Sequence, residues 1–576
     1  DTKYSGTQTY WLTEGSSSGK RIKCSFGLGF RPAPPAYPAI LEHKERSFYF
    51  SSLKNNSQNK FFGELVWTDP ISILLATNSP VSAASSDALL EVTLQGASDA
   101  THSVSMILND QEIGDFSFEG QTSATSSLSI NHDLIRDGAN TLILTSLNGE
   151  NDISMVDTIR LTYQRTYTVS EDLIKCSAAG GQRLSLQGFT NDDITVVDIT
   201  DPLSPLIITS RVSRRGSSYT AALTAPRTGL RSLYAVDNAA ALHPERITMN
   251  HPSALTDPST AADMIIISTP ELMDSIQPLK DYRESQDYSV VLIDLEDIYD
   301  EFSFGNASPL AIKDFLFFSV KNWDTPPAAV LLIGDASYDP RNYFSLSSEN
   351  LLPTRLIETD YLETASDDWF VDFDNDTLPD LAVGRIPAGS AADAEIIIDK
   401  IIAYESTVEA LSTALAVAGQ NDEFDYTSAS TDIADMLRAS LEVEEIIYSQ
   451  SSSPHDDFLD GFNTGPLLIN YIGHASTALW TGGLFAATDV AALSNRPDFP
   501  FVVSMTCLNG YFIDPEYASL AEILLNTENG GALAVWTSSG LTDPRAQIDM
   551  NKELLNLLLQ DELIPLGEAV RQAKSA

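Results

Sequence analysis

At about residue 260 the sequence changes its periodicity, and that change limits the fold more than any other feature of the chain. Before it, short alternating segments such as Leu89 to Leu94 and Ser103 to Leu108 are punctuated by Gly, Asn, Asp and Ser, the pattern of half-buried antiparallel strands. Ile107-Leu108-Asn109-Asp110 followed by Ile113-Gly114 reads as a hairpin, and Asp137-Gly138-Ala139-Asn140 as a turn into the strand Thr141 to Leu144. Beyond His251-Pro252, apolar runs of strand length alternate with amphipathic segments of helix length. The runs are Met264 to Ser268, Val290 to Leu295, Ala329 to Gly334, Leu381 to Gly384, Leu415 to Ala418, Leu467 to Ile472, Phe501 to Met505 and Ala532 to Trp536. The helices fall at Glu271 to Tyr288, Pro309 to Asn322, Ala391 to Tyr404 and Thr431 to Ser440. Strands apolar on both faces must be covered by helices on both sides, so this half is expected to be an open, largely parallel α/β sheet. The expected chain is therefore multidomain: an N-terminal β-rich segment (1–75), a β-sandwich (76–165), a second β-rich region with a linker (166–260), and the α/β part.

In an open α/β sheet the working residues sit at the carboxyl ends of the strands. Two chemically able residues occupy such ends. The run Leu467 to Ile472 passes through Gly473 into His474, and Phe501 to Thr506 passes into Cys507. A thiol attacks as its thiolate, and a nearby imidazole is what takes its proton at neutral pH. The small residues Gly473 and Ala475 let backbone approach a carbonyl, so the N–H groups of Ala475 and Cys507 are candidates for an oxyanion hole. Against this stands the plain alternative of a buried Cys and a packed His.

The residues around this pair resemble the gingipain family of cysteine peptidases. The matching phrases are Asn470-Tyr471-Ile472-Gly473-His474 with Trp480, and Met505-Thr506-Cys507-Leu508-Asn509-Gly510-Tyr511-Phe512. Upstream, Ile298 to Phe302 with Gly305, Leu331 to Asp339 and Pro379 to Arg385 match as well. The resemblance implies a caspase-like fold in two parts, 261–406 and 407–576, with Cys507 as nucleophile and His474 as general base of a secreted endopeptidase at a bacterial or archaeal surface. It implies protein or peptide substrates and an intramolecular contact with a leader region that holds the enzyme latent. It also implies a further strand beyond the helix at Leu566 to Lys574, and the start at Asp1 reads as a processed end. The family orients its histidine with a carboxylate that falls here in Gly419-Gln420-Asn421-Asp422-Glu423. Asp422 is the expected orienter, with Gln420 and Asn421 as alternatives. Substrate contacts are expected from Trp480 and Asp432. The family's glycine after the histidine is Ala475 here. A transpeptidase on the same site, or a degenerate domain in an adhesion protein, are the competing readings.

A second motif, Asp372-Phe373-Asp374-Asn375-Asp376 running to Asp380, alternates carboxylates as an oxygen-seeking Ca²⁺ ion requires, although it lacks the glycine and glutamate of an EF-hand. Asp372, Asp374, Asp376 and Asp380 are the expected ligands, with Asp335 and Asp339 as further candidates; the alternative is a solvated acidic loop. The chain carries 34 basic and 80 acidic residues, a net charge of −46, which repels nucleic acid and anionic lipid. Cys24, Cys176 and Cys507 are an odd number, so at least one thiol is free. No stretch has the length of a membrane span, and no phosphate-binding glycine loop or G-x-S-x-G turn is present.

Overall fold

Alternation in the first half resolves into two β-sandwiches in a computed structural model that describes residues 3–576 except 30, 56–58, 83, 85, 227, 347–349, 407–410, 561 and 562. In the first sandwich, Leu90, Val92 and Leu94 of one sheet meet Val104, Met106, Leu108, Leu142 and Leu144 of the other. In the second, Ile174, Cys176 and Leu233 meet Leu184, Leu186 and Leu223. The expected hairpin joins Thr101–Leu108 to Gln111–Glu119 through Asn109 and Asp110, both at positive φ, the backbone that a two-residue hairpin turn demands. The first 75 residues do not form a layer of their own. Ala36–His43 pairs with Ser154–Thr166 and Ile71–Thr77 with Gly138–Ser146, while Lys23–Ser25 and Arg31–Pro32 add edges to the second sandwich.

Tertiary contacts divide the chain into two units. One is Leu12–Phe50 with Lys60–Asn250, the sandwiches; the other is His251–Ala576 joined by Asp1–Trp11 and Ser51–Asn59. Two short N-terminal pieces thus belong to the α/β unit. Thr9 Oγ1 donates to the Gly305 carbonyl at 2.7 Å, Trp11 Nε1 to that of Phe304 at 3.0 Å, and the Lys3 ammonium reaches the buried Glu363 at 3.4 Å.

The α/β unit carries helices α1 (Met273–Glu284), α2 (Leu295–Ser303), α3 (Pro309–Asn322), α4 (Ala391–Glu405), α5 (Tyr426–Leu437), α6 (Pro454–Asn463), α7 (Leu520–Asn526), α8 (Pro544–Leu558) and α9 (Leu566–Ser575). Their starts are written in the sequence: Ser308, Ser390, Asp425 and Asp543 each accept a backbone N–H of the first turn, and Ser519 with Glu522 forms a capping box on α7. The Asp425 cap starts α5 five residues ahead of the expected Thr431. The strands of the expected parallel sheet sort into two parallel sheets rather than one, and short antiparallel pairs, Arg355–Glu358 with Glu363–Ser366 and a hairpin opening at Ala475, lie outside them. The first has the order Val290–Asp294, Met264–Ser268, Ala329–Ile333, Ala382–Ile386; on its last strand packs α9, with Gly567 against Ala382. The second runs Glu442–Ile447, Thr413–Ala418, Leu468–Ile472, Phe501–Met505, Ala534–Thr537. Glu442–Ile447 is absent from the sequence expectation because an edge strand buries only part of itself, and its three glutamates break the apolar run. The architecture is the caspase-like α/β fold preceded by β-sandwiches.

Candidate active site

Three adjacent strands of the second sheet bring the site together. Thr413–Ala418, Leu468–Ile472 and Phe501–Met505 run parallel, with Ala418 opposite Ile472 and Ile472 opposite Met505. Asp422, His474 and Cys507 follow these three strand ends, so their order across the edge is carboxylate, imidazole, thiol. His474 and Cys507 each stand two residues beyond the last register pair, Ile472 opposite Met505.

Each side chain is held by local chemistry. The Tyr471 hydroxyl donates to the His474 carbonyl at 2.7 Å, and a Cβ on Gly473 would stand 2.4 Å from that hydroxyl, so only glycine lets the chain turn there. His474 Nε2 lies 2.6 Å from Asp422 Oδ2 and 3.1 Å from the Tyr426 hydroxyl, with the Tyr426 ring edge-on to the imidazole. The Asp422 carboxyl is held below its ordinary range by the Phe424 N–H first and by His474 next. Burial, then the charges of Asp422, Cys507 and Asp543, pushes the Tyr426 phenol up to about 12, so it keeps its proton. With Nε2 facing a carboxylate, the proton belongs on Nε2 and the lone pair on Nδ1. The Cys507 sulfur is partly exposed and lies 3.6 Å from Thr542 Oγ1; no hydrogen bond joins it to His474 in this state. Catalytic contacts of this kind commonly tighten only when substrate binds.

The backbone beyond Cys507 is turned sharply. Leu508 sits at φ 61°, a left-handed conformation that costs a branched residue about 1 kcal/mol or more, and its N–H is spent on the Gly540 carbonyl at 3.0 Å. The Cys507 N–H has no acceptor among the described residues. Ala475 opens a hairpin in which it faces Trp480. The adjoining Thr481 N–H to His474 carbonyl bond of 2.9 Å makes Ala475 and Trp480 a non-hydrogen-bonded pair, which leaves the Ala475 N–H free of the ladder.

The model of peptidase family C25 matches residues 257–576, more than half of the chain. The chain belongs to peptidase family C25. Gingipain R2 of Porphyromonas gingivalis is 31% identical over 170 residues, 27% of this chain and 23% of that one. Lys-gingipain of the same organism is 24% identical over 220 residues, 37% of this chain and 12% of that one. The chain thus spans less than a quarter of these curated relatives. Among solved structures, dimeric latent PorU from P. gingivalis is 18% identical with a TM-score of 0.48, covering 67% of this chain and 40% of that one. The complex of the RgpB pro- and mature domains is 21% identical with a TM-score of 0.46, covering 54% and 72%.

Against the expectations for a C25 site, Trp480 changes role. It is 1% exposed, stacked on Tyr471 at 3.9 Å between ring centroids, and its indole N–H is used by Asn509 at 2.7 Å, so it supports the hairpin from within the core and offers no face to a substrate. Asp432 lies midway along α5 with its carboxylate 3.0 Å from Lys552 Nζ, an exposed ion pair. Gln420 is not drawn to His474, and Asn421 Oδ1 instead accepts from Thr427 N at 2.9 Å. Three residues outside the sequence expectation stand in the site: Tyr426, Thr542 and Asn509. Asn509 lies within the matched Cys507 to Phe512 phrase, which was the signal available for it; Tyr426 was hidden by the late start assigned to α5.

In the acidic loop, one carboxylate oxygen each from Asp372, Asp374 and Asp376 lies within 4.8 Å of the others. Positive φ at Asn375 and Thr377 curls the chain around them, and the Asp376 and Thr377 N–H groups point at the buried Asp372. All-oxygen donors at this spacing fit a hard divalent cation. Asp380 stands outside the group, since its carboxylate accepts the Phe373 N–H at 2.8 Å and braces the loop. Asp335 and Asp339 also lie outside it.

Proposed function

We propose that this C25 chain is a cysteine endopeptidase that acylates Cys507. The observation that carries the reading is the strand-edge series Asp422, His474, Cys507, in which a carboxylate lies 2.6 Å from Nε2 of His474 and the strand before His474 pairs with the strand before Cys507. His474 Nδ1 takes the thiol proton, the thiolate attacks the scissile carbonyl, and the oxyanion is received by the Cys507 and Ala475 N–H groups. The proton on Nδ1 then passes to the leaving amine, and water hydrolyses the thioester. Two features support an intact rather than a degenerate site. Alanine for glycine at 475 keeps the N–H, and a carboxylate is in contact with the histidine.

By the same reading the sandwich unit is a prodomain that keeps the enzyme latent, and the protein is exported. Among the described residues no helix is long and apolar enough to cross a membrane. The exposed segment 242–251, which has no regular structure across most of its length, is a natural site of activating cleavage. Because residues 3–11 are bonded into the α/β unit, nicking rather than deletion of 1–250 is the proper activation. Asp372, Asp374 and Asp376 would hold Ca²⁺ and brace their loop, with no part in the chemistry.

The test is labelling with a peptidyl acyloxymethyl ketone, before and after nicking, on the wild type and on Cys507→Ala and His474→Ala. Labelling confined to Cys507 and dependent on His474 is expected. A nicked protein that labels equally well without His474, or at Cys24, would sink the reading.

A further inference from the structure

The two N–H groups assigned to the oxyanion hole come from different segments, one at the end of the cysteine strand and one at the mouth of the hairpin after the histidine strand. Their separation is useful only if something fixes the hairpin to the cysteine strand. Asn509, two residues past the nucleophile and 1% exposed, stands between them. Its Oδ1 accepts from Trp480 Nε1 at 2.7 Å and from Ser504 Oγ at 3.1 Å, and its Nδ2 donates to the Ser476 carbonyl at 2.6 Å. An indole N–H can only donate, so the orientation of the carboxamide is dictated by its partners. Ser504 belongs to the cysteine strand, Ser476 follows Ala475, and Trp480 faces Ala475 across the hairpin. One side chain thus grips both strands of the hairpin and the strand that ends in Cys507.

We infer that Asn509 is the positioning residue of the oxyanion hole: its carboxamide sets the Ala475 N–H against the Cys507 N–H. The inference rests on the cysteine-peptidase reading and deepens it. Neither aspartate nor leucine can replace the group, because both acceptance on one side and donation on the other are used. A plain folding role is separable from this one. The Leu520 N–H to Thr477 carbonyl bond of 2.9 Å ties the hairpin to the start of α7 by backbone alone, and the Ala521 N–H to Asn509 carbonyl bond of 3.1 Å survives any side-chain change. The hairpin therefore stays attached when the carboxamide is altered, while its aim is lost.

Asn509→Asp keeps the acceptor for Trp480 and Ser504 and sets an oxygen against the Ser476 carbonyl, breaking the grip on the Ala475–Ser476 strand of the hairpin alone. In the nicked protein, kcat on a peptide amide is expected to fall about 100-fold with KM within about threefold, the scale of losing one oxyanion donor. Trp480→Phe, which removes one of two donors to Oδ1, should fall about tenfold. Alkylation of Cys507 by iodoacetamide develops no oxyanion, so its rate and pH profile should match wild type in both variants. Alkylation falling in step with kcat, or kcat unchanged in Asn509→Asp, would reduce Asn509 to a structural residue. Hydrogen exchange over residues 475–480 reads the grip without turnover. Exchange about tenfold faster in Asn509→Asp is expected, and unchanged exchange overturns the inference whatever the activity. Failure of the peptidase reading shows separately, as wild-type Cys507 alkylation that does not depend on His474.

Discussion

Glu522 offers a sharp test of how burial governs this unit. It is 7% exposed, closes the capping box of α7 by accepting the Ser519 N–H at 2.7 Å, and lines a cleft of about 440 Å³ between Ala382–Ile386 and Ala534–Thr537. Burial first, and the charge of Asp335 second, pushes its carboxyl from 4.5 up to about 8. Asp335, itself half-buried, is pushed by desolvation up to about 7. A carboxyl raised on folding contributes stability that is fully present below its unfolded value of 4.5 and is lost as pH rises through about 8. At pH 7.5 the unfolded chain is ionised and the folded one mostly is not, which at 1.36 kcal/mol per pH unit costs the fold about 4 kcal/mol; at pH 5 the cost is about 1 kcal/mol. Glu522→Gln keeps an oxygen for Ser519 and cannot ionise. With an unfolding entropy of about 2.1 cal/mol/K per residue over roughly 330 residues, the variant should melt about 6 °C above wild type at pH 7.5 and about 1 °C above it at pH 5. Near-UV circular dichroism melts of the full chain at the two pH values measure this. A Tm gain equal at both pH values, or a loss at pH 7.5, would refute the account of a carboxyl kept neutral by its surroundings.

Asp422→Asn should lower kcat/KM by about 10- to 100-fold, less than for a buried triad, because this carboxylate is 47% exposed and solvent screens it; steady-state rates of the nicked enzyme decide. Lys400, buried with its ammonium on the Leu524 and Leu525 carbonyls, has its amine lowered by burial from 10.5 to about 7. The neutral form is favoured on folding, so the stability it contributes is full above 10.5 and drains away as pH falls toward about 7. The Tm of Lys400→Met minus that of wild type should therefore shrink as melts move from pH 7 to pH 10. Calcium should raise the Tm of wild type and leave that of Asp374→Asn unchanged; equal responses would remove the cation from the acidic loop.

The parts of the site legible in the sequence are those that depend on periodicity. Strand ends are local features, and Gly473-His474 and Thr506-Cys507 follow uninterrupted apolar runs, so the strand-end rule finds both before any contact is known. The same local logic finds α3 to the residue, since Ser308 and Pro309 start it and its apolar face repeats. It fails at Glu442–Ile447, where edge exposure erases the pattern, and at Trp480, where a residue in a matching phrase turns out to be filling the core.

What the sequence determines by itself is the kind of unit and the two strand-end residues of the candidate site, because apolar runs, caps and breakers act over a few residues. Only the tertiary structure decides the partners. Asp422 reaches His474 across 52 residues because parallel pairing sets their strands side by side, and Asp432 pairs with Lys552 because α8 packs alongside α5. Asn509 gains its role from a hairpin that closes over it. These are consequences of register and packing, which join residues far apart in the chain and leave no periodic mark on it.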